Sequence, residues 1–215
     1  MEENQKLSTL RAKLETLYGA HKEEMLFHGW HHIAFVSKKA KEFADSISAN
    51  AFLSESAGLV HDLNYLVEVN TGPERGAEMR TQILSEYGYS QEEQERIEQI
   101  VMEQHTGTRG AELSPEGMAL SDADTLFKAL PITPILFASK YIQENKVDIE
   151  KLSKKVVEEQ KPLLDQGIYF YTDLAKNRYL DWAKGNLILW ENVRESLQDK
   201  DVQELLAIAR EQGVL

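Results

Sequence analysis

A chain of 215 residues, 42% apolar and 28% charged, is long enough for one substantial buried core and has the make-up of an ordinary globular protein. It contains no cysteine, which excludes disulfides, thiolate zinc sites and cysteine nucleophiles and suits a reducing compartment. Its formal charge of −12 repels polyanions, which argues against a nucleic-acid polymer as partner, and no apolar run approaches the roughly 20 residues of a membrane helix.

The opening "MEENQKLSTL" is polar and acidic, unlike a signal or transit peptide, so a cytoplasmic protein without a membrane partner is expected. "KLSTLRAKLETLYGA" follows with Leu7, Leu10, Leu14 and Leu17 on one helical stripe. A second helix is expected from near Phe27, where Ile33, Val36, Ala40, Phe43 and Ile47 recur at helical spacing. "AFLSESAGLVHDL" reads as a third, buried helix. "NTGPERG" breaks the pattern, with Pro73 placed for a helix start. "AEMRTQILSEYG" and "SQEEQERIEQIVMEQH" are the next two, the latter opened by Ser90 as cap.

"TGTRGAELSPEG" is rich in turn residues. It precedes "MALSDADTLFKAL", an apolar helix interrupted by acids, and "LPITP" then punctuates the chain. Beyond lie "PILFASKYIQEN", "DIEKLSKKVVEEQKPLL", a long helix through "DLAKNRYLDWAKGNLILWENVRESL" and a last one through "DVQELLAIAREQ". On the long helix Ala175, Tyr179, Trp182, Leu189, Val193 and Leu197 form a stripe suited to a core or to the face of a homodimer, with Asn186 interrupting it. No segment alternates like a strand and no repeat is visible. The expected fold is all-α. Residues 1–130 form a core carrying the motifs between 28 and 124, and residues 131–215 form a C-terminal helical extension packed on it as the same globular unit.

Four places in that core could do chemistry. They are His28 with His32, the dipeptide His61-Asp62, His105, and Asp122 with Asp124. Leu59, Val60, Leu63 and Leu66 mark the His61-Asp62 segment as buried, and Met118, Leu120, Leu126 and Phe127 do the same for the two aspartates. An ionised carboxylate there costs several kcal/mol unless it is paired or bound to metal. Two imidazoles with two carboxylates make a mixed nitrogen and oxygen shell, suited to Mn, Fe, Co, Ni or Zn and less well to Mg.

The order His…His-Asp…Asp on helices resembles the HD superfamily of metal-dependent phosphohydrolases. "HGWHHIAFV" is similar to that superfamily's His-x-x-x-His-[Ile/Val]-x-x-Val segment, "AGLVHDLNY" to its His-Asp helix, and "DADTL" to its closing Ala-Asp-x-Leu. The resemblance covers roughly residues 20–130. It implies an HD-type helical bundle in which His32, His61, Asp62 and Asp124 hold one divalent metal. His28 falls where several HD families place a second histidine, a general acid in the cyclic-nucleotide phosphodiesterases. That histidine sits in Tyr-His-Asn there, and in Phe27-His28-Gly29 here. Families with a second metal carry two more histidines before the last Asp. This chain has His105 alone in that interval, which disfavours a dinuclear site and oxygenase chemistry.

The activity so implied is hydrolysis of a small phosphorylated compound, a nucleotide above all, by metal-activated water, with Asp62 and His28 as catalytic residues. Monoester, diester and pyrophosphate bonds are not distinguished. The alternative is a non-catalytic HD module that senses a nucleotide or phosphometabolite. His28, His105, Arg75, Arg80 and Arg109 are the candidate substrate contacts, with Lys39 beside them, because Arg and Lys grip phosphate. The bland readings are a helix-start cap for His28, a helix-end histidine for His105 and solvated charges for the rest. Asp122 could hydrogen-bond a ligand histidine, act as a base or cap its own helix.

Overall fold

The computed structural model describes residues 2–104 and 110–214. Among the described residues there is no β-strand, and the fold is all-α. The first helix, α1 (Glu3–Ala20), buries Leu10, Leu14 and Tyr18 at i, i+4 spacing, while Leu7 and Leu17 are only partly covered. Arg11 donates to Ser37 Oγ and to Glu55 Oε1, both at 2.9 Å, and so ties α1 to the two helices that follow.

Helix α2 (Trp30–Ser46) starts three residues later than the sequence suggests. Gly29 is its N-cap in extended backbone, and a side chain there would collide with the Met25 carbonyl. His28 therefore precedes the helix, and its place beside His32 does not come from a shared helical face. Helix α3 (Ala51–Val60) is capped by Asn50 Oδ1, which accepts the Leu53 amide at 3.0 Å. It ends one residue before His61, so the His-Asp pair sits in the turn leading to the short α4 (Asn64–Val67), not inside a helix.

Helices α2 and α3 cross at Gly58. A Cβ on Gly58 would lie 2.6 Å from Ser37 Cα, so the crossing needs hydrogen at that position. This close approach brings the turn after α3 against the first turn of α2.

A 3₁₀ turn (Pro73–Gly76) leads into α5 (Ala77–Glu86) and then α6 (Gln91–Glu103), which opens with a capping box between Ser90 and Glu93. Helix α7 (Pro115–Ala129) packs on α2, α3 and α6 and buries both Asp122 and Asp124. Glu116 at its start accepts the Asn50 amide at 2.9 Å and Arg96 at 2.6 Å, locking α3, α6 and α7 together. The remaining helices are α8 (Thr133–Leu136), α9 (Ala138–Asn145), α10 (Ile149–Asp165), α11 (Asp173–Ser196) and α12 (Lys200–Glu211).

Tyr169, Phe170, Ala175, Tyr179 and Ala183 from this second half join the main core, and Leu152, Val157, Leu187 and Trp190 form a smaller one between α10 and α11. The buried face of α11 runs through Ala175, Tyr179, Ala183, Asn186, Leu187 and Trp190. Trp182 and Leu189, expected on that stripe, are 43% and 41% exposed. Asn186 explains the different phase: its Nδ2 donates to the Lys128 carbonyl at 2.7 Å and the Leu130 carbonyl at 3.4 Å, so the polar residue faces inward to cap α7. Among the described residues no helix is long and apolar enough to cross a membrane.

Candidate metal centre

Three segments meet at the centre of the first half. His32 comes from the first turn of α2, His61 and Asp62 from the turn after α3, and Asp124 from the middle of α7. His32 Nε2 and His61 Nε2 face each other at 3.1 Å. Asp62 Oδ2 lies 3.0 Å from the first and 3.1 Å from the second. Neither approach is aligned as a hydrogen bond, and the buried oxygen is otherwise unsatisfied. The three residues are buried and form a group that could hold a metal ion. Asp124 stands slightly apart, with Oδ1 3.5 Å from His32 Nε2 and Oδ2 accepting from Lys128 Nζ at 2.8 Å.

The donor set fits a cation. His61 Nδ1 donates to the Gly58 carbonyl at 2.9 Å, which leaves the Nε2 lone pair aimed at the cluster. Burial pushes His32 down to about 4, so its ring is neutral near pH 7 and offers a lone pair as well. Burial alone would raise Asp62, yet His61 and His32 beside it hold it well below the usual carboxylate range. Burial likewise pushes His61 down, and the Asp62 carboxylate outweighs that push and raises it. Burial works against charge on all three groups, and the histidines beside Asp62 keep its carboxylate ionised.

His28 is buried one residue before the helix cap. Its Nδ1 is hydrogen-bonded to Glu144 Oε1 on α9. Glu144 Oε2 accepts the backbone amides of Phe27 at 2.7 Å and His28 at 3.2 Å. Tyr65 stacks on the His28 ring at 3.7 Å between centroids. Burial would raise the Glu144 carboxyl, and the bonds from His28 and Phe27 bring it below its ordinary value. The centroids of His28 and His32 are 5.7 Å apart.

A cavity of about 530 Å³ opens on this cluster. Its floor includes His28, Asp62, Asp124 and Lys128, and its walls include Tyr65, Tyr141, Lys155 and Trp190. An apolar and aromatic enclosure with a few convergent polar groups is the usual form of a small-molecule site.

The chain matches no protein-family model. A stretch of 108 residues is 32% identical to the uncharacterized protein YpgQ of Bacillus subtilis, covering 48% of this chain and 52% of that protein, about half of each. Among solved structures, B. subtilis YpgQ in complex with ADP superposes with a TM-score of 0.65 at 22% identity over 94% of this chain and 100% of its own. A second YpgQ crystal structure gives a TM-score of 0.63 at 20% identity, covering 92% and 98%. The fold is shared with YpgQ.

Of the residues singled out in the sequence, the fold brings together His28, His32, His61, Asp62 and Asp124. Arg80 is not available as a phosphate anchor. It is fully buried and donates to both Glu98 oxygens, at 2.7 and 2.6 Å, and to the Pro73 carbonyl at 2.7 Å. Its work is to hold the 3₁₀ turn to α6. Arg75 is exposed, pairs with Glu68 at 3.1 Å and does not line the cavity, and Lys39 is engaged with Glu42 and Tyr179. His105 and Arg109 lie outside the described residues. His31 turns off the cluster and stacks on Phe137 at 4.9 Å. Asp122 is fully buried on α7. It accepts the amides of Tyr171 and Thr172 at 2.8 and 2.7 Å and so fixes the start of α11.

Sequence reasoning missed Glu144, Tyr65, Tyr141 and Lys128. Lys128 carried a readable signal, an acid followed four residues later by a base on one helix face. Glu144 carried none, since it lies 116 residues from His28 and outside every motif.

Proposed function

We propose that the chain is a metal-dependent phosphohydrolase of the HD type, acting on a small phosphorylated compound, a nucleotide in the first instance. The observation that carries this reading is the convergence of His32 Nε2, His61 Nε2 and Asp62 Oδ2 on one buried point that opens into a nucleotide-sized cavity. The ADP in the B. subtilis neighbour supports a nucleotide as occupant.

A divalent transition metal (Mn, Fe, Co, Ni or Zn, with Mg less suited) bound by His32, His61, Asp62 and Asp124 would polarise a phosphoryl oxygen and acidify water. The protein's own part is positioning and proton handling. The Gly58 carbonyl fixes the His61 tautomer, and Asp62 keeps its negative charge at neutral pH to orient the attacking water. Glu144 holds His28 by Nδ1 while Tyr65 covers the ring face, and His28 donates a proton to the leaving oxygen from the cavity floor. Tyr141 and Trp190 give the base an apolar wall.

The test is metal analysis of the purified protein joined to a phosphate-release screen over nucleoside mono-, di- and triphosphates and cyclic nucleotides with Mn, Co, Ni, Zn and Mg. Release from one nucleotide class, with about one metal equivalent per chain, is the expected result. The ADP of the neighbour equally suits a non-catalytic nucleotide sensor, and micromolar binding without release under any metal would favour that reading over hydrolysis.

A further inference from the structure

The cavity floor carries one charge that the four ligand positions leave unexplained. Lys128 lies one turn beyond Asp124 on α7, its Nζ 2.8 Å from Asp124 Oδ2. Its backbone is held rigid where Asn186 donates to the Lys128 carbonyl at 2.7 Å. The side chain is 35% exposed and lines the cavity. Among the described residues that line the cavity, the cations are Lys128 and Lys155. Lys155 is about half exposed, donates to the Tyr141 hydroxyl at 2.8 Å and lies 3.9 Å from Glu159.

An ammonium whose carboxylate partner also serves a divalent ion gains from a further anion in the same space. A divalent ion shared by Asp62 and Asp124 would draw on the same negative charge that Lys128 pairs with, leaving Glu159 as the other carboxylate acting on its ammonium. Helix α10 also presents Glu158 and Glu159 to the cavity, so the cavity as a whole does not attract anions and the seat for an anion must be local. We propose that Lys128 is a substrate-contacting residue, its ammonium taking a phosphoryl oxygen of the bound nucleotide at the metal end of the cavity. This rests on the reading of the cavity as a phosphate site, but it concerns binding and not turnover. An ammonium suits this place because it meets phosphate as a point charge with rotatable donors.

The test compares metal-loaded wild type, Lys128→Gln and Lys128→Arg for binding of ADP, inorganic phosphate and adenosine by calorimetry, with metal content measured on each sample. Lys128→Gln is expected to keep its metal and its adenosine affinity while ADP and phosphate affinity fall about ten- to hundredfold, the loss of one charge-assisted hydrogen bond. Lys128→Arg restores most of it. Wild-type ADP affinity in Lys128→Gln would overturn the proposal, as would equal loss of ADP and adenosine. Loss of metal from that variant would also overturn it, since Lys128 would then serve Asp124 alone. The expected binding pattern in a protein that releases phosphate from no nucleotide sinks hydrolysis and leaves Lys128 in place. Hydrolysis with unchanged binding in Lys128→Gln does the reverse.

Discussion

The floor of the cavity and its walls are built differently. The floor comes from α2, the turn after α3 and α7, three segments locked by a glycine crossing and by the carboxylate of Glu116. His32 and His61 there are no more than 1% exposed. The walls come largely from α9, α10 and α11, where Lys155, Glu158 and Glu159 are partly open to solvent. A floor of that kind suits chemistry that tolerates little displacement of its ligands, whereas such walls can change to suit the substrate. Glu144 joins the two, since it stands on α9 and holds a floor histidine.

The largest effect should come from breaking the floor at its charge. Asp62→Ala is expected to remove metal retention and phosphate release together, by elemental analysis and by colorimetric assay. A metal-replete, active Asp62→Ala protein would overturn the assignment of the floor.

Cutting the link between floor and wall should cost less and should spare the metal. Glu144→Gln leaves the cluster intact but loosens His28. A general acid contributes about 10²–10⁴-fold, so kcat is expected to fall by about one to two orders of magnitude with unchanged metal content and a nearly constant KM. A rise in KM alone would place Glu144 with the walls instead.

The scaffold beneath the floor is tested by Gly58→Ala. The added methyl must push α3 from Ser37, and overpacking of this kind costs about 1–3 kcal/mol. A lower Tm with weakened metal retention is expected, because His61 sits one turn from the crossing. A lower Tm with full metal affinity would show that the cluster does not depend on that approach. The smallest effect sharpens the comparison from outside: Arg75→Ala removes an exposed pair to Glu68, and stability should stay within about 0.5 kcal/mol, with KM unchanged.

Much of the floor was legible in the sequence. His61-Asp62 and the aspartates of α7 stand out because ionisable residues in apolar segments need partners, and the resemblance to the HD motifs implied His32 and Asp124 in particular. Less legible were the places where helices stop. His28 was expected on α2 and His61 within α3, but a glycine cap and a helix end put both in turns. The stripe on α11 was phased by its apolar residues, and the inward Asn186 shifted the buried face. Arg80 looked like a phosphate anchor because sequence records charge without burial.

By itself the sequence determined the all-α class, the order of the helices and the identity of the buried His and Asp residues. These follow from local periodicity, from the cost of burying charge and from the motif resemblance, all of which are read from neighbouring residues. Only the tertiary structure decided that Glu144 holds His28, that Lys128 faces a cavity and that Arg80 does not. Those outcomes depend on which side chains from distant segments share one dry space, and the pairing energies that settle them exist only once the helices have packed.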